Sequence, residues 1–326
     1  MFDIYYINAV KDIVIINLSI VLKLSNHITG ILLMIINAFC MSLLYIIVKI
    51  LIRYFAFTSN QVGFLYKLTI FIFTILSCYR LRLFYHLKTQ KFFFHFLRGS
   101  FSIIGSLSMF YAVSVMNVLN AAAISELTPA FMVLAGIFVF NEKVNINKII
   151  LLVLNIFSIA LIEDFNILIN KSHYFAFLSL FFWSVNNIII KKLTQTEYLR
   201  AQLFYSSFFA IIFSFPLSFF CFGFDPGYIK IKISALNWPN ISSQSFLLII
   251  FAGISSLFHK ISFFKAYQLS DMSVVGFFDY LRLPFTCLFS CFILYENIPG
   301  INVLFGYFCI ILSSVYFIIF KVSSKD

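Results

Sequence analysis

The chain alternates between long apolar runs and short polar patches from about residue 29 to residue 320. Runs of about 18 or more residues with few charges are long enough to cross the hydrocarbon of a bilayer as helices. The runs are continuous and lack the period-two alternation of barrel strands, so we predict an all-α integral membrane protein. Ten spans are predicted, at residues 29–51, 59–80, 98–116, 118–140, 146–163, 172–190, 201–223, 244–265, 272–295 and 299–320.

Residues 1–28 do not fit this pattern. Lys11, Asp12 and Lys23 interrupt their apolar stretches, which reach only about twelve residues and are too short to span. We predict an N-terminal interfacial arm. A cleaved signal peptide is not predicted, because no basic segment leads into an apolar run with a small-residue cleavage site.

The charges are distributed unevenly between the two sides of the predicted bundle. The net charge is +11, but the basic residues do not form an aromatic-interleaved surface, so we predict no nucleic-acid partner. Counted over alternate connections, fifteen Lys and Arg residues fall on one side and five on the other. By the positive-inside rule, both termini are predicted to be cytoplasmic.

The amino-acid composition bears on the kind of organism and on the localisation of the protein. The chain has 326 residues, of which 62% are hydrophobic, so a sizeable soluble domain has no room. The 46 Phe residues, together with abundant Ile, Asn and Lys, are typical of an AT-rich bacterial genome. We therefore predict the bacterial inner (plasma) membrane. The six Cys residues lie in or beside apolar runs without ligand spacing, so neither a metal site nor a cofactor is predicted.

Two stretches of the chain resemble each other. Residues 110–143 can be laid over residues 264–297 at a constant offset of 154. Each copy contains a short polar turn, an apolar span with a mid-helix proline, and an acid at its end. The acids Glu142 and Glu296 correspond at this offset, whereas the prolines Pro129 and Pro284 miss it by one residue.

This repeat divides the predicted bundle into two five-helix halves, residues 29–165 and residues 166–326. Because each half holds an odd number of helices, the two halves must cross the membrane in opposite senses. Inverted repeats of this kind are typical of secondary transporters.

The repeated segments resemble the paired signatures of the drug/metabolite transporter superfamily, EamA type. In that family a "Leu-x-Pro" or "Tyr-Leu-Glu-Pro" helix is followed about a dozen residues later by "Gly-Glu" or "Asn-Glu". The matching segments here are residues 127–129 with 140–143, and residues 280–284 with 294–296. Lys67, Arg98 and the Lys191-Lys192 pair extend the resemblance, which implies a ten-helix transporter of two EamA-like repeats.

Within the superfamily, residues 95–99 and 266–271 resemble the S-adenosylmethionine uptake transporters of obligate intracellular bacteria. The ninth span departs from that pattern, because the family's Tyr-Leu-Glu is Tyr280-Leu281-Arg282 here. The resemblance implies uptake of a small polar metabolite, with S-adenosylmethionine as the first candidate. A drug, amino-acid or metabolite exporter on the same scaffold is the alternative.

Ionisable side chains at bilayer depth are costly and usually face protein or a water-filled cavity. Glu126 is predicted to line such a cavity; the alternative is a structural partner for Lys67. Asp279 and Arg282 are three residues apart and can pair on one helix face. They are predicted to face the substrate, the alternative being a neutral structural bridge.

Further candidates complete the predicted site. Pro129 and Pro284 are predicted to break their helices, although ordinary packing is an alternative. His259 and Lys260 are predicted to lie near the cytoplasmic end of the eighth span as structural residues. The remaining predicted substrate-binding residues are Lys67, Tyr111, Trp183, Asn187 and Tyr280.

Enzyme signatures do not occur in this sequence. It contains no HExxH, no GxSxG and no GxxxxGK[ST], so a zinc protease, a serine hydrolase and a nucleotide-driven pump are not predicted. Transport would then be driven by gradients or by exchange. The predicted partners are a small-molecule substrate, the lipid bilayer and a possible second copy in a homodimer.

Overall fold

A computed structural model of the chain describes residues 26–80, 84–141, 146–162, 171–225, 228–233, 238–296 and 300–323. Within these ranges the regular secondary structure is α-helical apart from one hairpin and a short 3-10 turn at Phe84–Leu87. The helices are α1 Asn26–Phe55, α2 Ser59–Arg80, α3 Phe92–Val115, α4 Val118–Ser125, α5 Thr128–Phe140, α6 Ile146–Ile162, α7 Lys171–Thr194, α8 Leu199–Leu217, α9 Ser243–Leu269, α10 Met272–Asp279, α11 Arg282–Ile293 and α12 Ile301–Ser323. The hairpin pairs β1 Phe220–Asp225 with β2 Tyr228–Ile233.

Seven helical stretches in the described part of the chain are long and apolar enough to cross a membrane. Two shorter apolar helices occur as well, at Ile149–Ile162 and Ile301–Ser313. The protein is therefore a multi-pass membrane protein. The predicted arm at residues 1–28 falls almost wholly outside the described residues, as do Glu142 and the predicted boundary between residues 165 and 166.

Two predicted spans are each divided into two helices. The first divides at Glu126-Leu127, between α4 and α5, and the second at Tyr280-Leu281, between α10 and α11. At both points the backbone makes three-residue steps, since Leu127 N–H donates to the Ile124 carbonyl and Leu281 N–H to the Phe278 carbonyl. A proline follows each division in the first turn of the next helix, where its missing N–H is tolerated. The two divisions are separated by 154 residues, the offset of the sequence repeat.

Two predicted helix boundaries are wrong. The third span begins at Phe92, not at residue 98, because the aromatic residues before Arg98 continue the helix. Arg98 therefore lies nearly two turns inside α3. The seventh span was predicted to reach residue 223, whereas α8 ends at Leu217, directly after Pro216, and β1 begins at Phe220.

Two helix pairs form the centre of the bundle. The most extensive packing joins α1 to α9 and α3 to α7. These two pairs correspond to each other when the halves of the sequence are exchanged, because α1 and α3 in one half match α7 and α9 in the other. Two further helix pairs in contact, α2–α8 and α6–α12, each join a helix to its own counterpart in the other half. The packing thus follows the same repeat as the sequence.

Gly306 marks a close approach between α12 and α6. A Cβ at this position would lie 2.9 Å from the Ser158 carbonyl oxygen, which is backbone and cannot move aside as a side chain can. We expect Gly306→Val to lower the stability by about 1–3 kcal/mol. The thermal unfolding midpoint in detergent measures this loss. Gly300→Val is the matched control, since nothing lies within 4 Å of a Cβ there. Equal midpoints for the two variants would contradict the contact.

Candidate functional site

A small cavity lies among the central helices. The centre of a water molecule can occupy a volume of about 80 Å³ in this cavity. This volume suffices for a few waters and is far below the volume that a drug-sized ligand needs. Residues of α3, α5, α9, α10 and α11 line the cavity, together with residues of α1, α2 and α7. Its polar lining side chains are Tyr66, Lys67, Arg98, Ser102, Ser106, Thr128, Trp183, Asn186, Asn187, Ser256, His259, Lys260, Asp279 and Arg282.

The two helix divisions meet at one ion cluster. Arg282 Nε donates to Glu126 Oε1, and Arg282 Nη2 lies 3.7 Å from Asp279 Oδ2. Glu126 precedes the N-terminus of α5, where a negative charge is favourable. We call Glu126, Asp279 and Arg282 the charge cluster. It joins residues 156 positions apart in the chain, one from each half.

Helix α1 supports the charge cluster from the side. Asn37 Nδ2 donates to Asp279 Oδ1 at 2.9 Å, and Ser42 Oγ donates to the Arg282 carbonyl oxygen at 2.9 Å. Glu126 is fully buried, and Asp279 and Arg282 are each only 4% exposed. Glu126 Oε2 and Arg282 Nη2 nevertheless have no hydrogen-bond partner. One acceptor and one donor of the cluster are therefore left unused by the described residues.

Five of the eight predicted substrate-binding residues line the cavity, and three do not. Lys67, Trp183, Asn187, Asp279 and Arg282 line the cavity. The other three do not line it directly. Glu126 reaches it through Arg282, Tyr280 is fully buried beside the charge cluster, and the Tyr111 ring packs 4.5 Å from that of Phe175. Substrate contact by any of them stays a prediction.

Lys67 is not the partner of Glu126. Its Nζ donates to Ser102 Oγ at 2.8 Å and lies 4.9 Å from the Tyr66 ring centroid. The structural partner of Glu126 is Arg282, on the opposite half of the chain. Sequence reasoning could not find this pair because nothing in the spacing of the residues brings the two divisions together.

His259 and Lys260 were placed wrongly near the end of the eighth span. They lie towards the middle of α9 and line the cavity. Lys260 Nζ and His259 Nδ1 are buried without a hydrogen-bond partner. A lysine that snorkels would reach polar surroundings at the membrane interface, whereas this one points into the protein.

Arg98 also enters the cavity. Its guanidinium carbon lies 4.4 Å from the Phe264 ring centroid, and Nη1 donates to the backbone and side-chain oxygens of Gln202 at 3.2 Å each. Lys67 interacts electrostatically with both Arg98 and Lys260. We call these three residues, Lys67, Arg98 and Lys260, the basic cluster. His259 interacts electrostatically with Arg282 of the charge cluster and with Lys67 and Lys260 of the basic cluster.

Two lysines hold the ends of helices, a role that was predicted for neither of them, although Lys191 is part of the family resemblance. Lys49 Nζ of α1 donates to the Val113 and Met116 carbonyl oxygens at the end of α3, at 2.6 and 2.9 Å. We call this contact the Lys49 bridge. A cation is favourable at a helix C-terminus, where carbonyl groups lack helical partners.

The second half of the chain repeats this contact. Lys191 Nζ of α7 donates to the Tyr267 and Ser270 carbonyl oxygens at the end of α9, at 2.7 and 2.9 Å. We call this contact the Lys191 bridge. The acceptors are again 154 residues from those of the Lys49 bridge. Lys49 and Lys191 themselves are 142 residues apart, so the repeat offset of 154 does not pair them, although each is a basic residue near the end of the first helix of its half.

The two bridges lie at opposite ends of the bundle. A Cβ at Gly30, near the start of α1, would lie 2.2 Å from Ser270 Oγ, so the Lys191 bridge is next to the start of α1. Lys49 is nineteen residues further along the same helix, a distance of about 28 Å. Each bridge joins the α1–α9 pair to the α3–α7 pair. With both bridges made, the two pairs are held together at both ends of the bundle.

Comparison with known proteins relates the chain to a family. The profile of the EamA-like transporter family matches residues 28–163 and 170–320. The chain is 23% identical over 237 residues to an S-adenosylmethionine uptake transporter of Rickettsia prowazekii, covering 71% of this chain and 74% of that one. It is 25% identical over 244 residues to the protein of the same description from Rickettsia felis, covering 72% and 76%. A crystal structure described only as that of a protein shares the fold, with a TM-score of 0.66 over 92% of this chain and 98% of the other at 12% identity.

Proposed function

The chain belongs to the EamA-like transporter family, and from this premise we propose that it takes up a small polar metabolite across a bacterial inner membrane as a secondary carrier or exchanger. S-adenosylmethionine is the first candidate, because the Rickettsia relatives are described as transporters of that molecule. The observation that carries the proposal is the buried charge cluster where the two helix divisions meet. Broken helices of this kind form the midplane sites of secondary transporters.

In this proposal the bundle has ten spans, with α4–α5 and α10–α11 each counted as one. The two halves cross the membrane in opposite senses, and both termini are cytoplasmic. The lysine bridges support the inversion. Their acceptors, at Met116 and Ser270, correspond in the repeat and lie at opposite ends of the bundle. With a cytoplasmic N-terminus, the Lys49 bridge is on the outer side and the Lys191 bridge on the inner side.

Alternating access follows from the same packing. The moving parts in our proposal are the α1–α9 pair and the α3–α7 pair, and not the two halves of the sequence. Breaking the Lys49 bridge opens the cavity outwards, and breaking the Lys191 bridge opens it inwards. The described conformation, with both bridges made, corresponds to a closed intermediate between the two.

The two clusters suggest how S-adenosylmethionine would be held. Its ammonium and sulfonium groups suit the charge cluster, in which Glu126 Oε2 has no hydrogen-bond partner. Its adenine suits the aromatic walls formed by Phe110, Trp183 and Phe264. A molecule of this size enters only when the cavity opens, because the closed volume admits a few waters.

A second candidate fits the charge balance around the cavity equally well. Lys67, Arg98, Lys260 and Arg282 face two carboxylates, those of Glu126 and Asp279. An excess of buried cations favours an anion-bearing substrate. An amino-acid or other metabolite exporter on the same scaffold would fit this balance.

Uptake of radiolabelled S-adenosylmethionine into proteoliposomes tests the proposal. We expect saturable uptake by the wild type, and a reduction of at least about tenfold in Glu126→Gln and in Asp279→Asn, since each change removes a buried charge that pairs with Arg282. Glu197→Gln is the control, because Glu197 accepts from Thr89 Oγ1 away from the cavity. Efflux of loaded amino acids without uptake of S-adenosylmethionine would favour the exporter. Unaltered uptake in both cavity variants would contradict the proposed site.

A further inference from the structure

The basic cluster has no counterion among the described residues. Lys67, Arg98 and Lys260 interact electrostatically with one another, and none of them is paired with a carboxylate in this part of the chain. We propose that the basic cluster is the subsite for the anionic group of the transported molecule, a carboxylate or a phosphate. This inference rests on the proposed function, since it names the chemistry of one end of the substrate.

The hydrogen-bond donors of the basic cluster are largely unused. Lys260 Nζ has no partner, Arg98 Nε has no partner, and Lys67 Nζ has one partner in Ser102 Oγ. Lys67 and Arg98 are only 1% and 2% exposed, so water outside the protein does not satisfy them. All three residues line the cavity. The free donors are therefore available to a molecule inside it.

Burial makes a counterion valuable here. A charge removed from water without a partner is costly, and three like charges near one another raise that cost. A carboxylate or phosphate supplies several acceptor oxygens and accepts strong, charge-assisted hydrogen bonds from Lys and Arg. An anion bound at this place would both neutralise the cluster and use its donors.

The charge cluster cannot serve the same purpose. Arg282 already binds Glu126 and lies next to Asp279, so an incoming carboxylate would meet two negative groups there. His259 also lines the cavity and interacts electrostatically with residues of both clusters. The protein thus offers the basic cluster to an anion and the charge cluster to a cation. A zwitterionic metabolite matches both clusters at once.

A matched pair of ligands tests the subsite. S-adenosylmethionine and its decarboxylated analogue differ by one carboxylate, and the affinity of each for the purified protein is measured by competition. We expect the wild type to bind the analogue at least about tenfold more weakly. In Lys260→Met and Lys67→Met this ratio should fall to within about twofold, because the lost contact belongs to the carboxylate. Methionine is apolar and of similar volume, so it replaces the buried lysine without loss of folding.

Lys192→Met is the control variant, since Lys192 is exposed at the end of α7. A ratio in Lys260→Met and Lys67→Met equal to that of the wild type would overturn the subsite.

If S-adenosylmethionine does not bind the wild type, the proposed substrate fails and a second measurement decides the subsite. Acetate or inorganic phosphate, compared with chloride at equal ionic strength, should then raise the unfolding midpoint of the wild type and not of Lys260→Met. Equal midpoints in all three salts would overturn it, and the difference between acetate and phosphate identifies the preferred anion.

Discussion

Replacing Arg282 with methionine should abolish transport and lower the stability of the folded protein by about 3–5 kcal/mol. The change leaves Glu126 and Asp279 buried next to each other without the guanidinium that pairs with both. It also disconnects the two helix divisions, which this side chain joins across the halves. Transport in proteoliposomes and chemical or thermal unfolding in detergent measure the two effects separately.

A charge-balanced double variant is the control for Arg282. Glu126→Gln combined with Arg282→Gln removes one charge of each sign and keeps groups that can hydrogen-bond. We expect this variant to recover at least half of the lost stability while transport stays absent, because the site still lacks the Glu126–Arg282 ion pair. A single Arg282→Met variant as stable as the wild type would show that the charge cluster does not hold the divisions together.

The two divisions illustrate what could be predicted from the sequence. Proline lacks an N–H and its ring obstructs the preceding turn, so Pro129 and Pro284 alone predict two interrupted helices. The structure has an interruption a few residues before each. The apolar runs likewise predict most helices within a few residues, because their length is set by the thickness of the hydrocarbon. These features are local, and the local sequence is sufficient for them.

The side-chain contacts between helices could not be predicted from the sequence. Glu126 finds Arg282 from the other half, and Lys260 reaches Lys67 only because α9 packs on α1 and α2. Hydropathy says which residues are in the membrane but not which face of a helix meets which neighbour. Arg98 adds a second reason. Its position inside α3 depends on where the helix begins, and helix ends are the least certain part of a sequence prediction.

The two lysine bridges make opposite predictions about access to the cavity. Lys191→Met should raise the rate at which a membrane-impermeant maleimide labels a cysteine at Ser256 from the cytoplasmic side, by at least about tenfold. Lys49→Met should raise it by a similar factor from the outer side. Each change removes two charge-assisted hydrogen bonds, each worth about 1.5–3 kcal/mol, between the α1–α9 pair and the α3–α7 pair. Ser256 lines the cavity, and the six native cysteines are replaced by alanine to remove background labelling.

Lys192→Met is the control for the loss of a lysine side chain as such. Lys192 is exposed beside the Lys191 bridge, so its replacement should leave both labelling rates unchanged. The Lys49→Met and Lys191→Met double variant should be labelled from both sides, because neither end of the cavity then keeps its bridge. A carrier needs one end closed while the other opens, so we expect the double variant to lose concentrative uptake while its cavity stays accessible. If both single variants were labelled faster from the same side, the two bridges would not act at opposite ends of one pathway, and the movement of the helix pairs against each other would have to be abandoned.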